Sequence, residues 1–256
     1  MRPQSLEEAW ELNQKKRNRV VAGMMWLKMG THSFNTAIDL CDLGLDAIEE
    51  TEDEFRIGAM ATLRQMEKHP GLGVYSCGAV EDALRDIVGV QFRNGATLGG
   101  SLWRRMGFSD VVAIFLAMDS SVELFKGGVV PLEEFVRVPY DNDILVRLIV
   151  KKRPGSFAYQ AVRKQRTDLP TLNCAAAKVG EEYRVVVGSR PARAMLLRDE
   201  RVILADGITE ESAAAFADYA AGAVPVSGNM WGSAEYRRAL VPVLVRRTLL
   251  ALGEVR

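Results

Sequence analysis

Two glycine-bearing segments contain the residues best suited to binding chemistry. Gly23 follows the apolar stretch Val20-Val21-Ala22, and the segment Thr97-Leu98-Gly99-Gly100-Ser101 lies further along the chain. Because glycine has no Cβ, its backbone N–H can approach a phosphate closely, and the hydroxyls of Thr97 and Ser101 would add donors. Taken singly, each segment is more typical of a tight turn than of a phosphate site. Asp110 is an anion and is unsuited to phosphate, but its carboxylate could accept hydrogen bonds from a sugar or ribityl hydroxyl.

Other common kinds of active site find little support. The chain has two histidines, His32 and His69, outside any zinc motif, and we expect both on the surface or in loops. Its three cysteines include no Cys-x-x-Cys pair, which disfavours zinc, iron–sulfur and redox sites. The Gly-x-Ser-x-Gly motif, the P-loop and the Rossmann fingerprint are all absent from the sequence, which disfavours hydrolase, ATPase and Rossmann chemistry. We therefore predict no catalytic side chain and no metal site.

Composition narrows the class of protein further. The 256 residues carry 33 basic and 33 acidic side chains, so no global positive field favours nucleic acid. The longest apolar run extends only from Val111 to Met118, much shorter than the roughly 20 residues of a membrane span. The first residues lack an apolar segment of the signal-peptide type. With 48% hydrophobic residues and reduced thiols, we expect a globular cytoplasmic protein.

Short strands and helices without regular βαβ alternation predict an α+β fold. Capping residues predict helix starts at Ser5, Thr62, Ser109, Thr209 and Ser233, the helix after Ser109 being buried and the last being kinked at Pro242. A further helix is predicted over 78–88 and another from Pro191, whereas residues 93–101 are predicted to form a loop. Strands are predicted over 19–22, 36–40, 55–58, 121–126, 143–152, 172–179 and 183–188.

These segments occur in an order that resembles one family, the FAD-binding subunits of molybdenum hydroxylases, which include the medium subunits of xanthine and carbon monoxide dehydrogenases. Each segment is weak evidence alone, but together they extend over nearly the whole chain. The similar segments are 20–23 (VVAG), 37–40 (AIDL), 57–62 (IGAMAT), 95–101 (GATLGGS), 108–110 (FSD), 131–135 (PLEEF), 166–170 (RTDLP) and 233–240 (SAEYRRAL).

The resemblance implies a fold and a cofactor site. It implies an FAD-binding domain of the vanillyl-alcohol-oxidase type over 1–152, with subdomains of about 1–54 and 55–152, and a carbon monoxide dehydrogenase-type flavoprotein domain over 153–256. By resemblance, the loop from Val20 to Leu27, called the first loop below, wraps the FAD diphosphate. A second glycine loop, with Thr97, Gly99, Gly100 and Ser101, also contacts phosphate. Ile87 and Val88 pack on the flavin, Ser109 and Asp110 reach the sugar, and Asp168 reaches the isoalloxazine. The implied cofactor residues are Val20, Val21, Ala22, Gly23, Met24, Met25, Trp26, Leu27, Ile87, Val88, Ala96, Thr97, Gly99, Gly100, Ser101, Trp103, Ser109, Asp110 and Asp168.

The sequence departs from the family pattern at two positions. Met24 stands where the family has a second glycine, and a positive φ there would cost about 1–2 kcal/mol. Gln160 stands where the family often has lysine, and losing that cation predicts a lower flavin potential. Trp26 and Trp103 are interpreted either as walls of the cofactor site or as core aromatics. Arg104 and Arg105 either neutralise the FAD diphosphate or form a solvated or interface face.

The leading hypothesis is an electron-transfer flavoprotein subunit. Electrons would reach its FAD from a [2Fe-2S] partner subunit and a molybdopterin-binding partner subunit, in a heterotrimer that is often dimerised, and would pass to NAD⁺ or another acceptor. The molybdenum cofactor and the iron–sulfur clusters would lie only in those partners. A second hypothesis is a stand-alone FAD-dependent NAD(P)H reductase or oxidase of the same fold. A third is a scaffold subunit that has lost flavin.

Overall fold

The computed structural model describes residues 1–31 and 33–254, so His32 lies outside the described residues. The N-terminal part is a small layer of one helix on a parallel strand pair. Helix α1 (Leu6–Asn13) is capped by Ser5, and β1 (Asn18–Val21) pairs with β2 (Thr36–Asp39). Short 3₁₀ helices follow each strand, at Leu27–Met29 and Cys41–Leu43. Ala9, Ile38 and Leu40 belong to a separate buried cluster that also includes Leu45, Ile144 and Val146.

An antiparallel sheet of five strands forms the centre of the N-terminal half. It consists of β3 (Ile48–Glu50), β4 (Glu54–Gly58), β5 (Ser121–Leu124), β6 (Gly128–Pro131) and β7 (Leu145–Lys151), in the order β3-β4-β7-β5-β6. Short helices cover this sheet and continue its core. They are α2 (Leu63–Lys68), α3 (Pro70–Tyr75), α4 (Ala79–Leu84), α5 (Val90–Gly95), α6 (Leu98–Trp103), α7 (Asp110–Ala117) and α8 (Leu132–Phe135).

The C-terminal half is a four-stranded antiparallel sheet with two helices. The strands β8 (Gly155–Arg163), β9 (Pro170–Val179), β10 (Glu182–Gly188) and β11 (Met195–Arg198) lie in the order β11-β10-β9-β8. Helices α9 (Glu210–Ala223) and α10 (Ala234–Glu254) follow. Alternate residues of β9 enter different cores: Ala175 joins the core of the N-terminal half, whereas Cys174 packs under α9 and α10. Both faces of β9 are therefore buried, which explains the apolar run from Cys174 to Ala177 at its centre.

The α+β prediction is confirmed, and several local predictions hold in detail. Thr62 and Thr209 each form a capping box, and Ser109 caps α7, whose residues are all buried. Ser233 accepts a hydrogen bond from the Tyr236 N–H at the start of α10, which continues through Pro242.

Three local predictions were wrong. Residues 93–101, predicted as a loop, contain the end of α5 and the start of α6, because Thr97 caps α6 and offsets the low helix propensity of its glycines. The helix predicted from Pro191 is a bend followed by β11, which pairs with β10. Strand β8 was not predicted, although its edge pairing with β9 makes it one of the longer strands. In the last two cases strand pairing overrides local propensity.

None of the helices in the described part of the chain is both long and apolar enough to cross a lipid bilayer.

Candidate functional site

The loop after β1 lies directly against the end of α5. A Cβ added to Gly23 would lie 1.6 Å from the carbonyl oxygen of Gly95, so the two backbones touch. The side chain of Met25 covers Gly95 from the other side, since its terminal carbon lies 2.5 Å from where a Gly95 Cβ would be. Gly23 therefore packs against the residue two positions before Thr97, which brings the two glycine-bearing segments that the sequence singled out close together. Only glycine fits at residue 23, because the atoms that a Cβ would meet are backbone atoms. A Cβ at residue 95 would require only that the flexible end of the Met25 side chain move.

The same loop presents unpaired backbone donors. Across residues 1–31 and 33–254, the N–H groups of Gly23, Met24, Met25 and Trp26 donate to no protein acceptor. Met24 has a φ of 56°, so the loop reverses through a left-handed residue, as in the backbone nests that bind anions. The loop thus has the donor set that a diphosphate needs, and the positive φ that would suit a second glycine is adopted by methionine instead.

Relieving the strain at Met24 should stabilise the protein. A non-glycine residue in the left-handed conformation lowers stability by about 1–2 kcal/mol. Glycine removes this cost, but its greater unfolded-state entropy offsets part of the gain. We expect Met24→Gly to raise the free energy of unfolding by up to about 1 kcal/mol in urea titrations. As a control, Met29→Gly in the adjacent 3₁₀ turn should lower it by about 0.5–1 kcal/mol. Equal losses in both variants would contradict the strain argument.

The first turn of α6 has its donors already engaged. The N–H of Gly99 donates to the carbonyl oxygen of Ala59 at 2.8 Å, and that of Gly100 donates to Thr97 Oγ1 at 3.2 Å. The Ser101 hydroxyl donates to the Thr97 carbonyl at 2.9 Å, and the Ala96 carbonyl accepts from Leu63. Gly100 is exposed, so a phosphate could approach this surface, but it would meet few free donors. The phosphate role of this segment stays a prediction.

Apolar side chains line the space beside the first loop. Trp26 is exposed and its ring lies 5.7 Å from that of Phe108, next to Ser109. Val88, at the other end of the site, is 41% exposed and has a φ of 49°, an unfavourable conformation for a β-branched residue. Such strain is often found at ligand sites, and an exposed valine beside Ile87 is consistent with the flavin contact implied by the resemblance.

Asp110 was expected to offer its carboxylate to a sugar hydroxyl, but protein groups surround that carboxylate. Its carboxylate is buried and pairs with Arg163, whose Nη2 lies 2.9 Å from Oδ2. Its Oδ1 accepts hydrogen bonds from the Tyr159 hydroxyl and from Asn173 Nδ2. A sugar hydroxyl would therefore have to compete with protein donors for both oxygens. Ser109 is similarly engaged, as it accepts from the Val112 N–H at the start of α7. Both sugar contacts stay predictions.

The Asp110 cluster also changes the protonation of its neighbours. Burial raises the pKa of the Tyr159 hydroxyl well above its ordinary value, and the adjacent carboxylate adds to this effect. For Arg163, burial opposes the charge, but attraction to Asp110 prevails and raises the pKa. The tyrosine is thus held neutral and the arginine charged, which makes the cluster a fixed link between α7 and β8.

Arg163 connects this cluster to the segment that carries Asp168. Its Nη1 donates to the Asp168 carbonyl oxygen at 2.8 Å. Two residues earlier, Arg166 pairs with Asp86 at 2.9 Å, next to Ile87. The loop between β8 and β9 is therefore held close to the turn after α4, and residues 87, 88 and 168 lie at one side of the site. Arg163 was not predicted as a site residue, because an arginine at a strand end has no distinctive sequence signal.

The remaining candidates lie within or behind the site. Trp103 is half-buried and packs on Phe135 at 5.9 Å, so its cofactor contact stays a prediction. Arg105 is buried and stacks on Phe135, which excludes the solvated-face interpretation for this residue, whereas Arg104 is exposed. Gln160 lies half-buried on β8, and its effect on the flavin potential stays a prediction. The described residues contain no cluster of His, Cys, Asp and Glu suited to a metal.

A buried ion pair that the sequence did not reveal anchors α5 behind the site. Arg93 Nε donates to Glu67 Oε2 at 2.7 Å, and Arg93 Nη1 donates to the Ile87 carbonyl at 3.2 Å. Burial alone would raise the pKa of Glu67, but the hydrogen bonds from Arg93 and Arg64 outweigh it and lower the pKa. The pair joins α2 to α5 and thereby supports both Ile87 and Gly95.

This pair should make stability depend on pH in the acidic range. Because the folded-state pKa of Glu67 is lowered, its stabilising effect is complete above the ordinary value of 4.5 and is lost as pH falls through the folded pKa. Glu67→Gln should lower the free energy of unfolding by roughly 1–3 kcal/mol at neutral pH. It should also flatten the dependence of stability on pH below pH 4.5. Urea unfolding from neutral to acidic pH measures both effects. The exposed control Glu200→Gln should keep the wild-type profile, and an unchanged slope in Glu67→Gln would contradict the assignment.

Comparisons with known proteins agree with this architecture. A family described as the FAD binding domain in molybdopterin dehydrogenase matches residues 1–152, and the CO dehydrogenase flavoprotein C-terminal domain matches residues 157–252. The nicotine 6-hydroxylase medium subunit of Paenarthrobacter nicotinovorans is 26% identical, with 98% of this chain and 95% of that protein covered.

Two solved structures share the fold. The chain from carbon monoxide dehydrogenase of Hydrogenophaga pseudoflava superposes with a TM-score of 0.85 at 23% identity, covering 98% of this chain and 95% of that one. The chain from quinoline 2-oxidoreductase of Pseudomonas putida 86 superposes with a TM-score of 0.86 at 21% identity, covering 99% and 95%. The glycine contact, the unpaired N–H groups of the first loop and the apolar side chains beside it fit FAD as the cofactor. The chain belongs to the family of FAD-binding medium subunits of molybdenum hydroxylases.

Proposed function

We propose that this chain holds FAD in the cleft bordered by the first loop, α6, the turn after α4 and the β8–β9 loop. Its role would be to transfer electrons from the iron–sulfur clusters of a partner subunit to NAD⁺ or another acceptor. The observation that carries the proposal is the row of unpaired N–H groups from Gly23 to Trp26, packed backbone to backbone on Gly95. Such a row suits the FAD diphosphate.

Each part of the cleft has a distinct role in this proposal. The first loop binds the diphosphate, while Trp26 and Val88 supply apolar surface that excludes water from the flavin ring. Asp168 reaches the cleft on a loop that Arg163 holds in place. When bound, FAD takes up electrons singly and can release them in pairs, and the protein supplies binding, orientation and electrostatics. We assign no proton transfer to a side chain of this chain.

The proposal includes a complex. A relative carries the name medium subunit, which supports a role for this chain beside an iron–sulfur subunit and a molybdopterin-binding subunit. Substrate hydroxylation would take place on the latter. Cys41, Cys77 and Cys174 are free thiols, consistent with a reducing cytoplasmic location for the complex.

A visible absorption spectrum of the purified protein, with chromatography of the material that heat releases, tests this proposal. We expect flavin bands and one equivalent of FAD, together with co-purifying partners when the chain is isolated from its native source. A colourless protein that also fails to take up added FAD would contradict FAD binding and favour the scaffold hypothesis. Steady NADH oxidation by the isolated chain would instead favour the stand-alone reductase.

A further inference from the structure

Arg105 lies just after α6, where the chain turns toward Phe108 and α7. It is 5% exposed and has a φ of 47°, so the chain reverses here through a left-handed residue. Three residues later, the ring of Phe108 packs against that of Trp26 in the first loop. Residues 104–108, called the connecting segment below, therefore link α6 to the first loop, the two parts of the cleft nearest to the predicted phosphate contacts.

The guanidinium of Arg105 is enclosed by aromatic rings. Its Cζ lies 3.9 Å from the centre of the Phe135 ring, and it is also close to the rings of Tyr140, at 4.9 Å, and Trp103, at 5.4 Å. Arginine is attracted to the faces of such rings because their π-electrons carry partial negative charge. The rings belong to α6, to α8 and to the segment after α8, so one side chain joins three parts of the N-terminal half.

The same guanidinium is hydrogen-bonded to the ends of two helices. Its Nε donates to the Phe135 carbonyl at 2.7 Å, and its Nη1 donates to the Trp103 carbonyl at 3.2 Å. The Tyr140 hydroxyl donates to the next carbonyl along the chain, that of Arg104. The last carbonyls of a helix have no partner within it, so these donors satisfy the ends of α6 and α8 and hold them together.

This buried cation lacks a counter-charge. Among residues 1–31 and 33–254, Arg105 forms no ion pair with an aspartate or glutamate. Burial lowers the pKa of its guanidinium. A buried charge without a counter-charge is costly, and an apolar side chain of similar volume is often at least as stable in such a place. Stability alone therefore does not explain an arginine here, whereas the fixed, planar geometry of its donors does.

We propose that Arg105 is a positioning residue for FAD, which acts on the cofactor through the connecting segment without touching it. The proposal rests on the proposed function. Arg105 would fix the direction of α6, on which Gly100 is exposed, and the position of Phe108, against which Trp26 packs. Its own donors face carbonyls and its faces meet aromatic rings, so the guanidinium is not available to the FAD diphosphate.

Arg105→Met tests this proposal, because methionine can fill the aromatic enclosure but has neither charge nor donors. We expect the FAD dissociation constant, measured by flavin fluorescence, to rise roughly tenfold or more, and the visible circular dichroism of bound flavin to change. Arg105→Lys should restore neither, since an ammonium lacks the planar fork that reaches the Phe135 and Trp103 carbonyls. Arg247→Met, at an exposed position on α10, should leave both readouts unchanged.

The salt dependence of FAD binding distinguishes positioning from direct contact. A guanidinium that paired with the diphosphate would be screened by salt, so its removal would make FAD affinity less sensitive to ionic strength. We expect the same sensitivity in Arg105→Met as in the wild type. A clearly weaker salt dependence in the variant would mean that Arg105 contacts the phosphates, and would overturn the positioning role.

Tyr140→Leu is a second variant, at a position that is 57% exposed and so tolerates substitution without loss of the fold. It removes one ring of the enclosure and the hydrogen bond to the Arg104 carbonyl, and should weaken FAD several-fold. Because both side chains act on the same segment, the double variant Arg105→Met/Tyr140→Leu should weaken FAD no more than Arg105→Met alone. Additive effects of the two substitutions would contradict a shared role.

Hydrogen exchange of the flavin-free protein measures positioning without FAD. In Arg105→Met, the backbone N–H groups of residues 98–109 should exchange at least about tenfold faster, while those of β9 keep their wild-type rates. An equal rise in β9 would indicate a general loss of stability and overturn the proposal. Equal FAD affinity in the wild type and Arg105→Met would overturn only the positioning role, whereas a wild-type protein without affinity for FAD would contradict the proposed function as well.

Discussion

Gly23→Ala is expected to abolish tight FAD binding. The new Cβ would lie 1.6 Å from the Gly95 carbonyl oxygen and 2.4 Å from its carbonyl carbon, and neither backbone atom can rotate away. The loop must leave α5, at a cost of about 3 kcal/mol at the upper end of overpacking effects. If FAD binds only the native loop conformation, that cost weakens its affinity about 100-fold. Flavin titration followed by fluorescence, together with thermal unfolding of the flavin-free protein, measures both quantities.

A matched glycine distinguishes this contact from a general effect of alanine. Gly222 lies within α9, and a Cβ there would meet nothing within 4 Å. Gly222→Ala should therefore stabilise the protein by about 0.5–1 kcal/mol and leave FAD affinity unchanged. If Gly23→Ala bound FAD as tightly as the wild type, the loop would not be the diphosphate site.

Asp110→Ala is expected to destabilise the protein by roughly 3–5 kcal/mol, the usual cost of leaving a buried charge without its partner. Arg163 would remain buried without a carboxylate, and the Tyr159 hydroxyl and the Asn173 amide would each lose an acceptor. Because Arg163 also holds the Asp168 carbonyl, the β8–β9 loop should loosen at the same time. Urea unfolding gives the stability change, and the near-ultraviolet and visible circular dichroism of the FAD-loaded protein reports on the loop beside the flavin.

An exposed ion pair on the same loop is the control. Arg166 pairs with Asp86 but its side chain is 80% exposed, so Arg166→Gln should cost less than about 1 kcal/mol. In the double variant Asp110→Ala/Arg163→Met, the unpaired charge is removed, and stability should recover in part. An Asp110→Ala variant no less stable than Arg166→Gln would mean that Asp110 is not the anchor of the cluster, and would return it to the role of a sugar ligand.

Local sequence signals were sufficient for features that depend on neighbouring residues. A capping residue acts on the N–H groups two or three positions later, so Ser5, Thr62, Ser109, Thr209 and Ser233 could be assigned from the chain alone. The apolar run after Ser109 likewise predicted a buried helix. The glycine pair at residues 99 and 100 was less informative, because the Thr97 cap turns a sequence typical of a loop into a helix start.

The amino-acid sequence by itself determined the family, the mixed α+β class and the cofactor, since motif order and local hydrogen bonding are properties of the chain. Only the tertiary structure decided which groups are available to a ligand. It leaves the N–H groups of Gly23 to Trp26 unpaired while engaging those of α6, and it encloses Asp110 with Arg163. Whether a group is available to a ligand depends on which distant residues pack against it. Burial and long-range pairing leave no signal in the local sequence.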